Sequence, residues 1–91
     1  MPVTRVEVVG RVQGVGFRWF VREEARRHAI AGWVRNLPTG AVEIAAEGPQ
    51  EALDQFLAAV RRGPSGAWVE TVRELPVTEL RALPNPFQIA R

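Results

Sequence analysis

The hydrophobic residues of this chain change their spacing along its length, and this change limits the possible folds more than any other feature of the sequence. They recur at every second position in some segments and at every third or fourth position in others. The first spacing is typical of half-buried β-strands, and the second is typical of amphipathic helices. A chain of 91 residues is long enough for one hydrophobic core, so we expect a single domain over residues 1–91.

The alternating segments are predicted to be strands, and the segments with a helical stripe are predicted to be helices. Pro38-Thr39-Gly40 separates two of the strands, which favours a hairpin. Pro49 is suited to the first position of the second helix. In chain order we predict a strand over residues 3–12, a helix over 17–29 with Ala29 in its buried stripe, strands over 30–37 and 41–47, a helix opening at Gly48-Pro49, a strand over 67–75 and a short strand over 87–90.

This βαββαβ order predicts the fold class. It is typical of an α+β, ferredoxin-like split βαβ sandwich, in which an antiparallel sheet carries two helices on one face. The other face of the sheet would then meet water. We expect the charged alternate positions of the strands to lie exposed on that face, namely Arg5, Glu7, Glu43 and Glu47.

Composition excludes several classes of function. The chain has no cysteine, which excludes disulfides, a thiol nucleophile and cysteine-based zinc sites, and the single His28 leaves no second imidazole for a metal. Net charge is only +2, and the arginines are interleaved with glutamates, which is typical of a mixed surface. No apolar run reaches the roughly 20 residues of a membrane span. We expect a cytoplasmic monomer that needs no cofactor or metal and binds neither nucleic acid nor membranes.

The glycine-rich segment from Gly10 to Gly16 joins the first predicted strand to the first predicted helix. Glycines let successive main-chain N–H groups turn toward one anion, and the helix N-terminus adds a positive partial charge. Arg18 falls in the first helical turn, where the dipole disfavours a cation unless an anion lies close by. The residues alone are equally compatible with a simple tight turn and a solvated Arg18.

Two segments carry a family resemblance. Gly10-Arg11-Val12-Gln13-Gly14-Val15-Gly16-Phe17-Arg18 resembles the first signature of the acylphosphatases. Gly32-Trp33-Val34-Arg35-Asn36 followed by Gly40-Ala41-Val42-Glu43 resembles the second, at a matching distance along the chain. The resemblance implies a small free-standing enzyme that hydrolyses acyl phosphates to a carboxylate and inorganic phosphate. It also implies inorganic phosphate as a product or inhibitor.

The resemblance also implies the roles of site residues. Arg18 and Asn36 are the expected catalytic residues: Arg18 holds the phosphate, and Asn36 positions the attacking water. From the local sequence alone, Asn36 would be expected only to start the turn that contains Pro38. The expected substrate-binding residues are those of the loop and first helical turn, Gln13, Gly14, Val15, Gly16, Phe17 and Arg18.

Two other functions fit parts of the sequence. One is a regulatory domain that binds an anion without hydrolysing it. The other is the similar domain of a hydrogenase-maturation carbamoyltransferase, but this chain ends at Arg91 without a cysteine-rich zinc region, which favours the free-standing enzyme. An RNA-recognition fold is disfavoured because the first and third strands contain no aromatic residue.

Three further expectations concern residues outside the signatures. We expect Trp33 and Trp68 to be core or sheet aromatics, and His28 to support the end of the first helix. Many acylphosphatases carry an aromatic residue near the C-terminus, whereas this chain ends Phe87-Gln88-Ile89-Ala90-Arg91. We expect that terminus to lie away from the site and to affect packing only.

Overall fold

The molecule is built from two strand–helix–strand units whose strands interleave in one sheet. The computed structural model describes residues 1–78 and 80–91. The strand order across the sheet is β4-β1-β3-β2-β5. In chain order the elements are β1 (Val3–Arg11), α1 (Phe17–Arg27), β2 (Ala31–Asn36), β3 (Val42–Glu47), α2 (Gln50–Arg62), β4 (Trp68–Glu74) and β5 (Gln88–Ile89).

The predicted α+β, ferredoxin-like fold is confirmed, with one change to the sheet. β1 is antiparallel to β3 and β4, and β2 is antiparallel to β3, as expected. β5 is parallel to β2, and the Ala90 N–H donates to the Val34 carbonyl at 2.8 Å. The chain leaves β4 at one edge of the sheet and returns along the opposite edge, where it enters in the direction of β2. The sheet is therefore mostly antiparallel, and the pairing of β5 with β2 is parallel.

The hydrophobic core lies between the two helices and one face of the sheet. The predicted stripe of α1 buries Phe17, Val21 and Ala25, which recur at every fourth position. α2 contributes Leu53, Phe56, Ala59 and Val60, and alternate residues of β1 and β3 complete the layer. Phe87, just before β5, is also buried. Its ring packs edge-on against that of Phe56, with the two ring centres 5.9 Å apart.

The end of α1 and the start of α2 differ from their predicted positions because of the backbone conformation at Ala29 and at Pro49. α1 ends at Arg27, and Ala29 lies beyond it with φ 55°, in the left-handed region. The Ile30 N–H reaches back to the Ala25 carbonyl at 2.8 Å, so the chain reverses there and Ala29 is exposed. Pro49 precedes α2 as its N-cap residue, because its ψ of 145° is not helical.

The sheet face opposite the helices carries a buried carboxylate, which overturns the expected exposure of Glu43. Glu43 is only 1% exposed. Its two oxygens pair with Arg5 from β1 and with Arg35 from β2, the latter at 2.6 Å. Since β3 lies between β1 and β2, arginines from both neighbouring strands close over the glutamate. The Arg35 guanidinium also lies 5.1 Å from the centre of the half-buried Trp33 ring.

We predict that Glu43→Gln lowers the free energy of unfolding by about 2 kcal/mol. This loss lies below the range for fully buried pairs, because the side chains of Arg5 and Arg35 are 29% and 41% exposed. Urea unfolding of wild type and variant measures the difference. Glu70→Gln, at an exposed position of β4, is the control and should change stability little. Equal stabilities for Glu43→Gln and wild type would show that this ion-pair cluster does not hold the strands together.

Candidate active site

The loop between β1 and α1 is shaped by two glycines in the left-handed conformation. Gly14 has φ 75° and Gly16 has φ 77°, and a Cβ on either would meet no atom within 4 Å. The requirement at both positions is therefore backbone conformation and not space. Gly16 is the N-cap residue of α1 and offers no side chain to the first turn. The N–H groups at the start of α1 are left without a side-chain cap, which creates a positive helix end at the loop.

A pocket of about 180 Å³ opens at this helix end. Its polar side is formed by Gly14, Gly16 and the half-buried Arg18. Its apolar side is formed by Val12, Phe17, Trp19 and Ile89. The pocket therefore combines a guanidinium and the positive end of a helix with an apolar wall.

The position of the Arg18 guanidinium is electrostatically unfavourable unless an anion binds next to it. It lies in the first turn of α1, where the helix dipole repels positive charge, and this turn contains no acidic residue. Among the residues that the structure describes, the ion pairs of α1 involve Arg22 with Glu23 and Arg27 with Glu24, but not Arg18. The guanidinium of Arg18 is thus available to an anion in the pocket.

Gln13 ties the loop to the β2–β3 turn through its side chain. The Gln13 Nε2 group donates to the Leu37 carbonyl and to the Ala41 carbonyl, both at 2.9 Å. Leu37 and Ala41 also bond to each other through the Leu37 N–H, at 2.8 Å. Gln13 was expected to contribute its main-chain N–H, and its side chain has this separate structural role.

Asn36 is the last residue of β2 and comes immediately before the turn that Gln13 holds. Its backbone is opposite Val42 in the hairpin. Its side-chain Oδ1 is buried and accepts no hydrogen bond from the described part of the chain. A buried acceptor without a partner is costly to a fold, and such an atom calls for an explanation.

The predicted site residues are only partly brought together. Gly14, Gly16, Phe17 and Arg18 line one pocket. Val15 instead packs against the hydrophobic core, and Gln13 is directed to the β2–β3 turn. Asn36 is not among the residues that line the pocket, although Gln13 connects the loop with the residue that follows it.

Three lining residues, Val12, Trp19 and Ile89, were not among the predicted site residues, and the C-terminus was wrongly expected to lie away from the site. Ile89 reaches the pocket because β5 lies beside β2, and the Arg26 guanidinium holds the Phe87 carbonyl at 2.9 Å. No local pattern in a two-residue strand could have signalled that contact. Trp19 could have been found, because it directly follows Arg18 and lies off the buried stripe of α1.

Two other expectations have mixed outcomes. Trp68 is a sheet residue as predicted, but it is 71% exposed at the edge strand β4 and does not belong to the core. His28 is the C-cap residue of α1, as expected of a residue that supports the helix end. Within residues 1–78 and 80–91, there is neither a helix long and apolar enough to cross a membrane nor a cluster of His, Asp or Glu that could hold a metal ion.

Fold and pocket together define a small ferredoxin-like α+β protein with a candidate anion site at a strand–helix loop. The acylphosphatase family model matches residues 4–89. An acylphosphatase of Bacillus subtilis (strain 168) is 51% identical over 79 residues, which cover 87% of this chain and 84% of that protein. The chain therefore belongs to the acylphosphatase family, whose enzymes hydrolyse acyl phosphates.

Solved structures agree with this assignment. The crystal structure of acylphosphatase from Bacillus subtilis matches with a TM-score of 0.91 and 43% identity, and each chain is covered completely. The crystal structure of HypF from T. kodakarensis matches with a TM-score of 0.81 and 31% identity. That match covers 98% of this chain but only 12% of HypF, so the same fold also occurs within a much larger protein.

We predict that Gln13→Ala destabilises the protein by about 1–2 kcal/mol, because two side-chain hydrogen bonds are lost while both carbonyls keep a main-chain donor. Amide hydrogen exchange should become faster in the loop and in the β2–β3 turn together. Urea unfolding and exchange measured residue by residue test this. Gln55→Ala, on the exposed face of α2, is the control. Unchanged exchange in the turn would contradict the proposed link between the two segments.

Proposed function

We propose that Arg18 and the main-chain N–H groups of residues 13–18 bind the phosphate of an acyl phosphate, and that Asn36 positions the water that attacks it. Family membership supplies the reaction, which is hydrolysis of an acyl phosphate. The assignment of individual residues goes further and rests on the geometry of the loop, the helix end and the β2–β3 turn. That the protein is a cytoplasmic monomer and needs no metal or cofactor stays a prediction.

The phosphate position is supported by three features that favour the same ligand. Gly14 and Gly16 take left-handed conformations, which allow the N–H groups of the loop to converge on a shared acceptor. The first turn of α1 has no side-chain cap and no acidic residue. Arg18 lines the same pocket, and its planar fork can make two parallel hydrogen bonds to phosphate oxygens.

The observation that carries the proposal is the position of Arg18 in the first turn of α1, beside the two left-handed glycines. A guanidinium and a helix N-terminus repel each other unless an anion binds between them. A phosphate group removes that repulsion and neutralises both charges. The same arrangement then stabilises the negative charge on the phosphoryl oxygens during transfer.

Asn36 is proposed to hold the water because its amide offers both a donor and an acceptor. Its Oδ1 is buried and has no partner in the described chain, so it can accept a hydrogen bond from a water O–H. An amide is too weak a base to remove the proton from that water. A phosphate oxygen of the substrate takes the proton instead, and Asn36 contributes orientation.

The reaction balances without another chemical group. The water oxygen forms a bond to phosphorus in line with the acyl oxygen, and the bond from phosphorus to that oxygen breaks. The bonding electron pair leaves with the carboxylate, which is a stable anion and needs no strong general acid. The water proton moves to a phosphoryl oxygen, so the products are a carboxylate and inorganic phosphate.

Arg18→Ala should lower kcat/KM for benzoyl phosphate by about 10²–10³, the usual effect of losing a main transition-state donor. Arg18→Lys should recover only part of this loss, since lysine keeps the charge without the planar fork. The control is Arg22→Ala, one turn along α1, where Arg22 pairs with Glu23. Steady-state hydrolysis with circular dichroism of each variant is the measurement. Near-native activity of Arg18→Ala would remove Arg18 from the proposed role.

Asn36→Ala should lower kcat by about 10², while the inhibition constant for inorganic phosphate changes little, because the lost contact is to water and not to phosphate. Asn85→Ala, at an exposed position before Phe87, is the control and should be unaffected. Kinetics with phosphate as a competitive inhibitor separate the two effects. If phosphate affinity falls while kcat is maintained, Asn36 binds the phosphate and does not position water.

A further inference from the structure

The pocket has an apolar side that phosphate binding does not use. Val12, Trp19 and Ile89 contribute apolar surface to the pocket that also contains Gly14, Gly16 and Arg18. Val12 is fully buried and belongs to the core, whereas Ile89 is half-buried. The substrate of an acylphosphatase also has two chemically distinct ends, the phosphate and the acyl group.

Among the residues of this apolar side, Trp19 is the one whose position is not explained by packing into the core. The rings of Phe17, Phe56 and Phe87 are at most 1% exposed, whereas Trp19 is 59% exposed. It lies in the first turn of α1, outside the buried stripe, and directly follows Arg18. An exposed indole forgoes apolar burial in the fold, and as part of a pocket lining it can recover that burial against a ligand.

We propose that Trp19, together with Ile89 of the same pocket, contacts the acyl group and gives this enzyme a preference for acyl phosphates with an aromatic or extended apolar acyl group. The inference rests on the proposed function, because it requires the phosphate to bind beside Gly14, Gly16 and Arg18. With the phosphate there, the acyl group must lie against another part of the pocket lining. Trp19 belongs to that lining and is one residue from the proposed phosphate ligand Arg18.

The contact acts on binding more than on chemistry. The acyl side chain develops little charge during the reaction, so an apolar contact stabilises the bound substrate and the transition state about equally. Loss of that contact therefore raises KM and leaves kcat nearly unchanged. Acetyl phosphate, whose acyl group is a single methyl beyond the carbonyl, has little surface to offer an indole ring.

The test compares benzoyl phosphate with acetyl phosphate in wild type, Trp19→Ala and Trp19→Phe. Trp19→Ala should lower the ratio of kcat/KM for benzoyl phosphate to that for acetyl phosphate by about tenfold, mostly through KM. Trp19→Phe should restore most of the ratio. Comparing ratios between variants cancels the different intrinsic reactivity of the two substrates.

Trp68→Ala is the matched control, because Trp68 is 71% exposed and lines a different surface formed with Val9, Arg11 and Glu70. It should leave the ratio unchanged. The inference is overturned if Trp19→Ala affects both substrates equally, or if Trp68→Ala shifts the ratio as much. Neither result would contradict the proposed function. That proposal is contradicted by a different result, near-native activity of Arg18→Ala.

Discussion

The left-handed backbone at Gly14 and Gly16 is the constraint on which the rest of the site depends. With φ values of 75° and 77°, these two residues turn the chain from β1 directly into α1. The turn leaves the first N–H groups of the helix uncapped and puts Arg18 beside them. A side chain at either glycine would fit the space, but the conformation itself disfavours any residue with a Cβ. The proposed anion site is thus built mainly from the main chain, and the Arg18 guanidinium completes it.

Long-range contacts fix the remaining parts of the site around that turn. The Gln13 side chain attaches the loop to the β2–β3 turn, next to Asn36. The Arg26 guanidinium and the parallel pairing of β5 with β2 bring the C-terminal segment to the pocket. On the far face of the sheet, the buried Glu43 joins β1 and β2 through their arginines. The contacts of Gln13, Arg26 and β5 hold the loop, the β2–β3 turn and the terminal strand against one another.

The sequence predicted those features that depend on local periodicity and turn chemistry. The element order, the hairpin at Pro38-Thr39-Gly40 and the stripe of Phe17, Val21 and Ala25 are confirmed. The signature resemblance also identified the family. Glu43 was misjudged because alternation gives only the face of a strand, and the two arginines that cover it come from other strands. Ile89 was missed for a similar reason, since its pairing partner Val34 is far away in sequence.

The proposed roles of Arg18 and Asn36 are based on the family resemblance, the loop geometry and the charge at the helix end, and both roles depend on where the phosphate binds. A crystal structure of the protein with inorganic phosphate tests this most directly. Our account predicts phosphate in the pocket, within hydrogen-bond distance of the Arg18 guanidinium and of loop N–H groups, with a water held by the Asn36 amide on its open side. Phosphate bound elsewhere, or in the pocket without contact to Arg18 and the loop, would contradict the account.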